Sequence, residues 1–475
     1  MSPALRSLGV RNYRLFAAGQ LVSLMGTWMQ LTAQDWLVLQ LGGGGLGLGG
    51  VLALQFLPVL LFSLYAGVLA DRYDKRRVLV ATQTSAGLLA LTLAVLTATG
   101  VVTLLLVYVL AGLLGVVQAF DTPTRQAFIV EMVGPEDLSN AVALNSVTFN
   151  SARIAGPALA GVLIGVVGSA AVFGANAASY LAVLAALLAM HQAELRPARR
   201  VLRARGQLRA GLRHVVSRRE LLLPIVLVGF VGALGLNFPV TLALAARHEF
   251  GGSAATYGAL VAMLAFGSLI GAVLATRRPA PTMRVLVGAA FAFGVLEAAT
   301  GAMPTLVSFA VLLVPTGAAV LTFTTAANAS VQLAAGEQMR GRVMALYILV
   351  FLGTTPLGAP FIGWISGSFG PRMGLVVGGL GSAAAAAVVA GLLRRRAVRR
   401  APQISTQPPD ASDSAAAFSV RQATRRSRAV AASDGASGVA TRCTAPRAAL
   451  ARVAGPSGAP AGCAATGTCR TPRSS

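Results

Sequence analysis

Three ionisable residues stand inside stretches of sequence that are otherwise apolar: Asp35, Arg153 and Glu297. A carboxyl away from water can exchange a proton, and a guanidinium there can hold an anion. Such groups are costly in an apolar medium and mark functional positions. Asp35 stands beside Trp36, so wetting at a membrane interface is its bland alternative, and packing is that of Glu297. Arg153 could partner Asp35 or an anionic substrate. Uncharged polar residues in similar stretches, Gln30, Gln34, Asn145, Asn150 and Asn237 among them, can line a cavity or bond helix to helix. A further concentration of charge is GVLADRYDKRR, residues 67 to 77, with seven ionisable side chains in eleven positions.

Other chemistries are excluded by what the chain lacks. Lys75 is its one lysine, so no P-loop can be built and an ATP-driven pump is ruled out. His191, His214 and His248 are scattered without metal-ligand spacing, and no catalytic cluster accompanies them. Cys443, Cys463 and Cys469 form no convincing metal set. No enzyme activity, metal or cofactor is expected. The run GGGGLGLGG at 42 to 50 has no strand and helix around it and reads as a flexible turn.

The elements that must position these residues follow from composition. The 475 residues are 55% hydrophobic and 11% charged, with mean hydropathy +0.72. Repeated apolar stretches of about 20 residues suit a hydrocarbon core. Twelve are read, near 14–40, 46–70, 78–99, 101–120, 141–168 and 170–192, then 221–246, 253–276, 284–303, 305–327, 342–366 and 372–393. The fold class expected is an all-α membrane protein of twelve transmembrane helices in two six-helix bundles. Its parts are a first bundle at 1–192, a basic linker at 193–220, a second bundle at 221–393 and a tail at 394–475.

Basic residues set the orientation, because Lys and Arg are retained on the cytoplasmic side. Alternate loops carry Arg72 to Arg77, Arg125, nine arginines from Arg196 to Arg219, then Arg277, Arg278, Arg284, Arg340 and Arg342. The opposite loops carry Arg247 and Arg372. Both termini are therefore expected in the cytoplasm of a cell whose plasma (inner) membrane the chain crosses many times. The first apolar stretch reads as an uncleaved anchor. Of the net charge of +24, the tail supplies 14 arginines against 3 aspartates. It is too poor in large apolar residues to bury a core. Topology explains the remaining basicity, so nucleic acid is not expected as a partner; the bilayer and a small molecule are.

The two sets of six are related. A shift of 202 residues lays 140–168 over 342–370, matching Gly156, Gly161, Gly165 and Gly168 with Gly358, Gly363, Gly367 and Gly370. Small residues at such spacing let helix backbones approach closely, so Gly156, Pro157, Gly161, Gly358 and Gly363 are expected packing positions. A parallel repeat of this kind is a transporter plan with the substrate between the halves.

The pattern Gly67, Leu69, Ala70, Asp71, Arg72, Arg76 and Arg77 resembles the loop 2/3 signature of the major facilitator superfamily. The wording of MQLTAQDWLVLQL, LNSVTFNSARIAGPALAG and MRGRVMALYILVFLGTTPLGAPFIGW resembles its enterobactin-exporter-like branch, the transmembrane secretion effector family, over roughly residues 5 to 395. The resemblance implies a monomeric rocker-switch transporter, usually an exporter driven by the proton gradient. A non-transporting sensor or scaffold, or an importer, is the alternative on the same fold. It also implies a latch: Asp71 against the amino end of the eleventh span near Arg342, and Arg72, Arg76 and Arg77 against carboxylates such as Asp121. The spacing from Pro157 to Gly161 departs by one residue from the antiporter pattern.

Overall fold

A computed structural model describes residues 3–195, 207–276, 282–337 and 339–400. Residues 196–206 of the basic linker, Arg277 and Arg278, and the tail beyond residue 400 lie outside the described residues, as does the side chain of Asp71. Among the described residues every element is helical.

Among the described residues ten helices are long and apolar enough to cross a membrane. One of them, Glu136–Leu188, holds two crossings, because Gly168 takes φ 82° and ψ 168° and turns the chain. The helix Arg11–Gln40 completes the set of twelve. Gln20, Gln30, Gln34 and Asp35 make it less apolar, yet all four are buried. The spans are therefore 1 (Arg11–Gln40), 2 (Gly44–Arg72), 3 (Lys75–Ala98), 4 (104–133), 5 (135–167), 6 (169–188), 7 (Arg219–Glu249), 8 (Ala254–Thr276), 9 (Met283–Gly301), 10 (Leu306–Ala334), 11 (Arg340–Phe369) and 12 (Pro371–Arg400).

Side chains close several of the helix starts. Asp74 accepts from the Arg77 amide at 3.0 Å and caps span 3. Thr103 and Thr282 cap spans 4 and 9, and Thr305 forms a capping box with Ser308 on span 10. The apolar stretch ending near 120 did not foretell where span 4 ends. The helix continues to 133, because Phe128, Ile129, Met132 and Val133 bury themselves against Tyr13, Phe16 and Leu79. Hydropathy marks the part of a helix that lies in lipid, whereas tertiary packing sustains the turns beyond it.

The repeat seen in the sequence is present in the backbone. Gly134 and Gly336, 202 residues apart, both take left-handed φ, at 73° and 69°. Gly168 and Gly370 do the same at 82° and 94°. Each pair ends or begins the equivalent span, at positions where a side chain would be strained. Contacts repeat as well. Gly156 of span 5 abuts Trp28 and Met25 of span 1, and Gly358 of span 11 abuts Ala233 of span 7.

Between the halves the same symmetry holds. The Pro157 carbonyl of span 5 meets Gly258 of span 8, and a Cβ on Gly161 would lie 2.8 Å from the Ala254 oxygen. In the mirror pair, a Cβ on Gly49 of span 2 would lie 2.5 Å from the Ala359 oxygen of span 11, and Gly45 meets Gly363. These four contacts lie toward the end of the bundle opposite the basic loops, called here the far end. Glycine is required there because backbone touches backbone, and the seam gains dispersion contacts along both helix pairs.

Candidate functional site

Asp35 lies five residues from the end of span 1, about 7 Å along the helix from the far end. Its Oδ2 accepts a 2.6 Å hydrogen bond from the Tyr257 hydroxyl of span 8, and both side chains are buried. The bond crosses from one half to the other. Next to it, the Arg247 guanidinium of span 7 sits 5.8 Å from the Trp36 ring centroid, a second contact between the halves. Arg247 therefore has a partner that its place in a loop did not foretell. Glu249 pairs with Arg372 at 2.8 Å and ties the loop after span 7 to span 12.

Arg153 does not partner Asp35. Gly156 packs at the level of Met25 to Met29, so Arg153 stands about 15 Å nearer the basic end than Asp35. The guanidinium is half-buried and has neither an ion pair nor a hydrogen bond among the described residues. Phe149, one turn away, meets Trp28 edge to face at 5.6 Å. One further turn on, Asn145 lines a small cleft with Tyr13, Phe16, Gln20 and Thr148. Asn150 is spent on the Ser146 carbonyl of its own helix.

The remaining candidates fall elsewhere. Gln30 accepts from Asn176 of span 6 at 2.6 Å, a bond inside the first half, and Gln34 is buried beside it on span 1. Asn237 donates to the Ala233 carbonyl at the break in span 7. Glu297 is 2% exposed and sits inside the second half, away from the seam. Its carboxyl lies against Gly235 of span 7 and Gly378 of span 12, and its Oε2 has no hydrogen-bond partner among the described residues.

The loop at 67 to 77 requires a correction. The expected contact of its arginines with Asp121 is not made, because Asp121 is already taken. Its Oδ1 accepts from Thr82 at 2.9 Å and Gln83 at 2.7 Å, and its Oδ2 pairs with Arg125 at 3.0 Å. Arg125 also donates to Gln20, so this network joins spans 1, 3 and 4 within one half. Arg76 donates to the carbonyls of Leu187 and Leu188, which end span 6, while Arg72 and Arg77 are exposed. Lys75 pairs with Glu131 at 2.6 Å, both largely buried, and nothing in the spacing had linked them. The contact expected of Asp71 with span 11 lies outside the described residues.

Comparison with known proteins agrees with this architecture. The chain is 27% identical over 261 residues to the staphyloferrin A transporter of Staphylococcus aureus, covering 54% of this chain and 65% of that one. It is 27% identical over 164 residues to an uncharacterised transporter of Bacillus subtilis, YfiS, covering 34% of this chain and 38% of that one. The chain thus spans less than two thirds of the length of either relative. A bacterial homolog of the human lysosomal transporter Spinster superposes with TM-score 0.66 at 14% identity, over 83% of this chain and 98% of that one. Transmembrane secretion effectors match residues 3–425, about thirty residues past the expected limit of the resemblance. With twelve helices in two related halves on the major facilitator fold, and a match over most of its length, the chain belongs to the transmembrane secretion effector family.

Proposed function

We propose that the protein is a secondary active transporter that exports amphipathic small molecules by alternating access, driven by the proton gradient. In this reading it spans the plasma membrane as a monomer, with both termini and the basic end in the cytoplasm and the far end outside. The observation that carries it is the Asp35–Tyr257 bond. An acid sits in the seam that must open and close for alternating access. When the seam parts, Asp35 is wetted; when it seals, Asp35 is enclosed with one hydroxyl donor. A carboxyl whose surroundings change so much exchanges its proton with the conformational change, which is what coupling requires.

Other features support the same reading. Glycine contacts at the far end allow the halves to close without side chains between them, and the repeat supplies a symmetric pair of such contacts. The likeness to a protein named for staphyloferrin A supports a substrate of the siderophore kind. The loop at 67 to 77 is the cytoplasmic latch, with Gly67 and Asp71 at its core; Arg76, bound to the end of span 6, anchors the loop. Glu297 is a packing acid of the second half rather than a proton carrier.

The test is substrate-dependent proton release from purified protein in liposomes, across a panel of siderophores and hydrophobic drugs, beside Asp35→Asn. Signal in the unmodified chain and loss in the variant is the expected result. Signal in both would place coupling elsewhere, and silence across the panel would count against transport of these classes.

A further inference from the structure

Among the described residues Arg153 is a cation without a counter-charge, in the middle of a membrane span. The carboxylates of the first half are engaged or remote. Asp35 is bound by Tyr257, Asp121 by Thr82, Gln83 and Arg125, and Glu131 by Lys75. Asp74 caps span 3, Asp137 pairs with Arg6, and Glu194 pairs with His191. Glu136 stands seventeen residues earlier on the same helix, about 25 Å away, and Asp71 is likewise at the basic end.

The position of Arg153 on span 5 explains what it faces. Residues 145, 149, 153, 157 and 161 recur at four-residue steps along one side of the helix. Pro157 and Gly161 form the sealed seam with span 8, while Asn145 and Phe149 lie below it beside span 1. Arg153 is the first residue of this row beneath the backbone contacts with span 8. Helical side chains lean toward the amino end of their helix, so the guanidinium points away from the seam and toward the basic end. A bare guanidinium in the membrane persists where it meets water or a ligand.

We infer that Arg153 is the anion-binding residue of the space between the halves, and that the transported molecule carries a carboxylate or comparable anionic group on an amphipathic framework. The inference rests on the transport reading and supplies its substrate class. The guanidinium holds the anionic group just under the seam, and Trp28 and Phe149 offer aromatic surface to the framework. Asn145 and Gln20 supply polar contacts nearer the basic end.

The test is equilibrium binding to the purified full chain in detergent, with two fluorophores of one framework. These are 1-anilinonaphthalene-8-sulfonate, which is anionic, and N-phenyl-1-naphthylamine, which is neutral. Citrate and its neutral triethyl ester serve as competitors. Citrate is expected to displace the anionic probe and the ester to leave it bound. Arg153→Gln is expected to weaken the anionic probe about ten-fold, the loss of one charge-assisted contact, and to spare the neutral probe. Arg153→Lys keeps the charge without the planar fork and is expected to fall between the unmodified chain and Arg153→Gln for the anionic probe.

Equal displacement by acid and ester, displacement by neither, or an anionic-probe affinity unchanged in Arg153→Gln would overturn the assignment. If Arg153→Gln does not fold, the lysine variant and the competitor pair decide. Binding is read without a gradient, so a chain that binds anions but moves nothing fails only the transport reading. A chain that moves neutral compounds without regard to Arg153 fails only this one.

Discussion

The Tyr257 hydroxyl donates to Asp35 Oδ2 across the two halves, 222 positions apart in the chain and 2.6 Å apart in space. Tyr257 is 2% exposed and Asp35 7%, so the bond is shielded from the solvent that would compete with it. The adjacent Arg247–Trp36 contact also crosses the seam, and together they make the far end a joint with chemical content.

The joint has a measurable strength. Tyr257→Phe and Asp35→Ala, singly and together, form a double-mutant cycle in thermal unfolding of the purified protein. A coupling of about 1 kcal/mol is expected, in line with hydrogen bonds between membrane helices. Additive effects would mean that the bond contributes nothing to closure. Asp35→Asn keeps an acceptor and abolishes the charge, so it separates the bond from the proton.

The glycine seam should respond to volume. Gly161→Leu and Gly49→Leu force side chains onto the carbonyls of Ala254 and Ala359 and are expected to cost the sealed form about 1–3 kcal/mol. Cysteines placed at the far end would then label faster in these variants. The natural cysteines all lie beyond residue 440 and can be removed without touching the spans. Gly165→Leu is the control, since a Cβ there meets nothing within 4 Å.

Glu297 should behave as a packing residue. Glu297→Gln is expected to retain substrate-dependent proton release within about two-fold, and to unfold at the same temperature or higher. The basis is that a buried carboxyl with an unpartnered oxygen gives up little when it becomes a neutral amide. Loss of the proton signal in this variant, with Asp35→Asn still active, would reverse the roles of the two acids.

Much of this was legible from composition and spacing. Twelve apolar stretches, the 202-residue shift and the glycines at 156, 161, 358 and 363 specify two related six-helix halves; Gly161 and Gly363 lie where the halves close on each other, and Gly156 and Gly358 inside each half. Such features are local or periodic, and lipid demands them wherever a helix crosses it. The candidate acids and Arg153 were equally visible, because an ionisable side chain in an apolar run stands out whatever surrounds it.

Partners were decided by tertiary structure. Tyr257 is an ordinary residue of an apolar stretch until folding sets it against Asp35, and Glu131 lies beyond the apolar stretch that ends near 120, where span 4 runs on to meet Lys75. Asp121 was assigned to the wrong cations, since nothing in its sequence position tells that Thr82, Gln83 and Arg125 reach it first. Helices form from neighbours in sequence, whereas these pairs depend on how separate helices are rotated and stacked. Sequence alone determined which groups would need a partner in the membrane. The packing of one span against another decided which of them found one, and left Arg153 without a partner among the described residues.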